Sequence, residues 1–119
     1  MTEKLGSISI SDEVLMDLAG YAALESYGVV GMASPTLVDE VVQLLPRNKL
    51  RKGVHISLVE DPNAQSGAIE VDLYVIIEYG TNLSQVSRNL ADRVRYTLTE
   101  FAGITVGRVD IHVLEVKVR

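Results

Sequence analysis

The stretch "AIEVDLYVIIEYGTNLSQVSRNLADRVRYTLTEFAG", residues 68–103, decides the fold. Its first twelve residues alternate. Ile69, Val71, Leu73, Val75 and Ile77 share one face, and Glu70, Asp72, Tyr74, Ile76 and Glu78 share the other. A period of two is that of a strand with one face on a core. The period then changes. Leu83, Val86, Leu90, Val94, Thr97, Leu98 and Phe101 fall in one helical stripe, with Arg88, Asp92, Arg95 and Thr99 opposite. Asn82 with Gln85 resembles a capping box, and Gly103 is a helix stop. The spacing predicts a helix over about 82–102.

Working outward, "VGRVDIHVLEVKV" (106–118) reads as a closing strand. Its apolar alternation, Val109, Ile111 and Val113, shifts to Leu114, Val116 and Val118, which predicts a bulge or an exit from the sheet near Val113. Upstream, "VHISLVE" (54–60) turns Val54, Ile56 and Leu58 inward, and "DPNAQSG" (61–67) has turn composition. These features predict a hairpin between 54–60 and 68–79.

Before the hairpin, "SISIS" (7–11) alternates as a short strand. Ser11, followed by Asp12 and Glu13, is a helix cap with acids in the first turn. The helix is expected over 12–27, with Gly28 as its stop and Val29–Val30 as strand. "TLVDEVVQLLP" (36–46) spaces its apolar residues for a short helix over about 36–45, capped by Thr36 and stopped by Pro46. The fold class is α+β: one domain over 1–119, with a small antiparallel or mixed sheet and the two main helices on one face.

The chain is 119 residues long, without cysteine. Thiol catalysis, disulfides and thiolate metal sites are excluded. No apolar run approaches the ~18 residues of a membrane span, and the first residues lack a signal-peptide pattern. A cytoplasmic protein with no direct membrane span is the expectation. Net charge is −5, and residues 1–46 alone carry −6. An acidic chain repels phosphate backbones, so no nucleic-acid partner is expected.

Four clusters are candidates for chemistry. Gly28 and Gly31 form a GxxG, which in a KH-type clamp lies between helices. Its middle residues here are Val29 and Val30, which suit a helix stop and a buried strand. The competing function is a KH-like nucleic-acid-binding domain using this turn and the basic 47–52 loop. In that loop, Arg47, Lys49, Arg51 and Lys52 could meet an anionic partner or simply offset acidic neighbours. His55 and His112 lie outward on separate strands, without metal-ligand spacing. Glu70, Asp72 and Glu78 share an open strand face, which does not supply the dry pocket an acid–base pair needs. No catalytic residue, metal site or cofactor is expected.

One helix face asks for a neighbour. Met16, Gly20, Ala23, Leu24 and Tyr27 cluster on the second side of the first helix without a charge. Either residues 36–46 fold over this face, or a second copy or partner protein covers it. The partner is the preferred cover.

"GSISISDEVLMDLAGYAALESYGVVGMAS" resembles the opening signature of the alkaline shock protein, or envelope stress response, family of Gram-positive bacteria. Gly6, Ile8, Ile10, Val14, Ala19, Ala22, Gly28, Val29, Gly31 and Met32 carry the match. "KGVHISL" and "VDLYVIIEYGTNLSQVSRNLADRVRYTL", with Tyr79, Gly80, Val86 and Val94, extend it. "GITVGRVDIHVLEVKV" completes it, closest to the YloU-like members. The resemblance implies a non-enzymatic cytoplasmic protein linked to cell-envelope homeostasis. It also implies self-association or a protein partner, in some members a membrane-anchored one that holds the protein at the membrane periphery.

Overall fold

The computed structural model describes residues 9–36, 41–59 and 68–118. The elements run α1 (Asp12–Leu24), β1 (Val29–Met32), a 3-10 helix (Arg47–Gly53), β2 (Val54–Val59), β3 (Ala68–Glu78), α2 (Leu83–Ala102) and β4 (Val106–Lys117).

β3 is the centre of a mixed sheet. β4 runs parallel along one edge of it, from Ile69 to Glu78. β1 and β2 divide the other edge, both antiparallel: β2 pairs with residues 68–73 and β1 with residues 75–77. The predicted antiparallel pairing of β2 with β3 is present, with Val54 opposite Leu73 and Ile56 opposite Val71. β3, α2 and β4 form a β-α-β unit, the usual way to join parallel strands. The predicted bulge is also there. Val113 pairs with Val75 and Glu115 with Ile76, so Leu114 is skipped. That slip turns Glu115 to the outer face and Val116 inward.

α1 and α2 cover the inner face. Leu15, Ala19, Ala22 and Ala23 from α1 join Val86, Leu90, Val94 and Leu98 from α2. They meet Val71, Leu73, Val75 and Ile77 from β3. α2 begins as predicted, with the Asn82 side chain accepting from the Gln85 amide at 3.0 Å. It ends at Gly103 with φ +66°. Ser11 caps α1 by accepting from the Val14 amide.

Several expectations are corrected. α1 ends at Leu24, three residues early, because the Ser26 hydroxyl donates to the Ala22 carbonyl and the Ser26 amide to Ala23. Gly28 does adopt φ +84°, but in the turn after the helix instead of at its cap. The short helix over 36–45 does not form where it is described. Residues 37–40 lie outside the described residues, and 41–45 run beside β1, with Leu44 bridged to Ala33 and the Leu45 amide donating to Met32 at 2.8 Å. The basic loop is a 3-10 helix that buries Leu50. Of the strand expected over 7–11, residues 7–8 lie outside the described residues and 9–11 join no strand. The turn over 61–67 also lies outside them. Leu58, expected inward, stands opposite core-facing Ile69 yet is 81% exposed.

Candidate functional site

The second face of α1 is covered mainly by its own chain. Gly20 and Ala23 are buried. A Cβ on Gly20 would stand 2.9 Å from Leu50 Cβ, so the 3-10 helix packs directly against this glycine. Met16 and Leu24 are half-buried against the core. Tyr27 is the exposed member, at 78%. Leu50 and its 3-10 helix, which neither sequence expectation named, therefore cover Gly20, while Leu44 of the 36–46 segment comes in beside Gly31 and Leu24.

The basic cluster divides. Arg51 forks onto Asp17 of α1, with Nε and Nη2 at 3.3 and 2.9 Å, and also pairs with Glu13. The hydrogen bonds to Asp17 hold the guanidinium above its usual pKa. Arg51 thereby pins the 3-10 helix onto α1 and is not offered to a partner. Arg47, Lys49 and Lys52 are exposed. The Gly28–Gly31 turn is packed inward: Gly28, Val29 and Gly31 are buried. A phosphate clamp needs exposed amides at that turn.

On the outer sheet face, three strands bring together residues that sequence spacing kept apart. Asp72 lies between His55 on β2 and His112 on β4. His112 Nε2 is 2.9 Å from Asp72 Oδ1, and His55 Nδ1 is 3.6 Å from Oδ2. The His112 ring stacks on Tyr74, with centroids 4.6 Å apart. The His112 hydrogen bond pulls the Asp72 pKa below its ordinary value. This keeps Asp72 an ionised acceptor, the opposite of the raised pKa a general acid requires. Glu70 pairs with Arg108 at 3.1 Å. Among the described residues, no group of three or more His, Asp or Glu side chains is placed to hold a metal ion.

The feature that sequence reasoning missed is aromatic. The chain has five tyrosines and one phenylalanine, and none is in the core. Tyr21, Tyr27, Tyr79, Tyr96 and Phe101 are exposed, while Tyr74 is half-buried on the outer face. Three of them meet in one place. The antiparallel pair α1 and α2 leaves a cleft of about 410 Å³, lined by Leu18, Tyr21, Ala22, Glu25, Arg93, Tyr96, Thr97 and Phe101. Phe101, which the helical stripe assigned to the core, is 75% exposed here. Glu25 and Arg93 face each other across one end at 3.7 Å. An apolar floor, aromatic walls and a charged rim suit another protein's side chains. The available signal was the lack of aromatic residues on the core face of β3.

No helix among the described residues is long and apolar enough to cross a membrane. A family model described as the alkaline shock protein 23 family, with cell envelope-related function, matches residues 1–118. The chain is 36% identical over 116 residues to "Uncharacterized protein YloU" of Bacillus subtilis, covering 97% of this chain and 92% of that protein. It is 35% identical over 116 residues to "Uncharacterized protein Spy1614" of Streptococcus pyogenes, covering 97% and 91%. It is 26% identical over 113 residues to "Uncharacterized protein YqhY" of Bacillus subtilis, covering 95% and 78%. No solved structure matches.

Proposed function

The chain belongs to the alkaline shock protein 23 family, whose function is cell envelope-related, and on that footing we propose that it is a non-enzymatic interaction domain. It works in the cytoplasm in the cell-envelope stress response and homeostasis, by binding another protein. The observation that carries this is the exposure of Tyr21, Tyr96 and Phe101 around one cleft. Leaving large apolar rings in water costs free energy that a core position would recover. Aromatic side chains of this kind supply much of the binding energy where partners dock. The partner's side chains displace water from the cleft, and Glu25 and Arg93 orient them at its end. An envelope-related role fits a membrane-anchored partner, which would hold the domain at the membrane periphery.

The test replaces Tyr21, Tyr96 and Phe101 together by serine. All three are exposed, so circular dichroism should be unchanged. Affinity capture from a Gram-positive lysate, read by mass spectrometry, should then lose the proteins that the unaltered domain retains. Retention of the same proteins by the folded variant would remove the cleft from the account.

A further inference from the structure

Among the described residues, β4 is paired on one side only: its partner is β3, and its other edge carries no strand. It is also the longest strand, with twelve residues and no proline. Long edges are ordinarily blunted by proline, by shortness, by charged side chains or by a bulge. β4 is long and free of proline and points no charge into the core side; its charges lie on the outer face, beside the bulge at Leu114. Its core-side residues Val109, Ile111 and Val113 are all β-branched and only half-buried. Arg95 of α2 donates to the Gly107 carbonyl at 3.1 Å, so the open edge starts at Arg108.

The outer side chains of this edge have an order that selects a partner. Register with β3 turns Asp110, His112, Glu115 and Lys117 outward, and Arg108 joins them through its bonds to Glu70 and Asp110. From Arg108 the order is plus, minus, histidine, minus, plus. Laid antiparallel on a second copy, one register sets Arg108 opposite Glu115 and Asp110 opposite His112, each pair occurring twice. The bulge at Leu114 is what brings Glu115 into line with Arg108. On the core side the same register sets Ile111 against Ile111 and Val109 against Val113. Moving the centre to His112 would instead set Asp110 against Glu115 and Arg108 against Lys117, like against like. Among the described residues, Glu115 meets only Lys117, at 3.5 Å, and His112 uses Nε2 for Asp72, leaving Nδ1 for the second copy.

We infer that two copies of this chain pair antiparallel through β4, centred on Ile111, joining two four-stranded sheets into one of eight strands. The dyad relates identical surfaces, as a closed dimer requires. Backbone hydrogen bonds hold the edge, and the alternating charges fix the register. β4 and the α1/α2 cleft share no residue, so loss of one surface leaves the other intact.

The absence of cysteine makes the test direct. Ile111→Cys places the two thiols on directly opposite residues, where Cβ atoms lie about 4.5–5.5 Å apart and a disulfide needs little adjustment. Val109→Cys places them four residues out of line, about 14 Å apart. Under mild oxidation, Ile111→Cys should become a covalent dimer and Val109→Cys should remain monomeric. Separately, Asp110→Lys alters an exposed or half-exposed charge on the outer face. In sedimentation it should weaken dimerisation about tenfold or more while circular dichroism stays constant. Should Ile111→Cys unfold, the Asp110→Lys measurement decides alone. A chain that sediments as a monomer at hundreds of micromolar would overturn the inference. So would cross-linking no faster at Ile111→Cys than at Val109→Cys, or an Asp110→Lys variant that associates as well as the parent.

Discussion

Gly20 of α1 and Leu50 of the 3-10 helix are matched: a Cβ added to the glycine would sit 2.9 Å from the leucine Cβ. Leu50 is 1% exposed. Alanine is the better helix former by about 1 kcal/mol, yet Gly20→Ala must push the 3-10 helix away. A net loss of about 1 kcal/mol is expected, and Leu50→Ala should cost about 2–5 kcal/mol by leaving a cavity. Urea denaturation measures both. A Gly20→Ala variant more stable than the parent would show that the contact yields freely.

Gly28 has two reasons to be glycine. Its φ is +84°, and an added Cβ would lie 2.7 Å from Val86 Cγ2. Gly28→Val should therefore lose about 2–4 kcal/mol, combining left-handed strain with overpacking against α2. Gly80 shares the positive φ but has open space around it. Gly80→Ala should cost only the strain, about 1–2 kcal/mol. Equal losses at the two sites would discount the packing against Val86.

Asp72 gives the acid side of the stability curve a defined contributor. Its folded pKa is lowered, first by the His112 hydrogen bond. The unfolded state then binds the proton more tightly than the folded state. The stabilisation is complete above the ordinary aspartate range and is lost as pH falls through the lowered value. Melting temperature followed downward from pH 6 should fall less steeply in Asp72→Asn than in the parent. Parallel curves would exclude this carboxylate as a source of acid lability.

Arg51 and Lys49 are two residues apart and differ in what they hold. Arg51 is forked onto Asp17 and paired with Glu13, whereas Lys49 is exposed with no such partner among the described residues. Arg51→Gln should lower the melting temperature, and the deficit should shrink in about 1 M salt, where exposed ion pairs are screened. Lys49→Gln should leave it unchanged. Equal behaviour of the two variants would mean that the pins to α1 contribute nothing.

Regular periodicity was legible wherever tertiary contacts agreed with it. The β3 alternation, the α2 stripe with Asn82 and Gly103, the hairpin and the slip at Leu114 were all readable because local pattern and packing coincide. Leu44 and Leu45 were misread because their helical spacing describes a segment of about ten residues ending at Pro46. So short a helix is marginal alone, and hydrogen bonding along β1 prevailed. The end of α1 depended on one hydroxyl, that of Ser26. The Asp72 cluster was hidden because His55 and His112 meet it only after β2 and β4 take opposite edges of β3. The cleft was hidden because Phe101 follows the apolar stripe but lines the α1/α2 cleft with Leu18, Tyr21 and Tyr96.

Every strand of the sheet reaches the rest through β3, which gives one edge to β4 and divides the other between β2 and β1. Such an arrangement has no half that can open by itself. Detaching β4 alone strips one side of β3, but freeing β3 dismantles all the strand pairing at once. In native-state hydrogen exchange, the amides of β3 should be released only by whole-chain unfolding and report its full free energy. Amides on the outer edge of β4 should exchange fast in the dilute chain. Their slowing with rising protein concentration would follow association residue by residue, from Arg108 to Lys117.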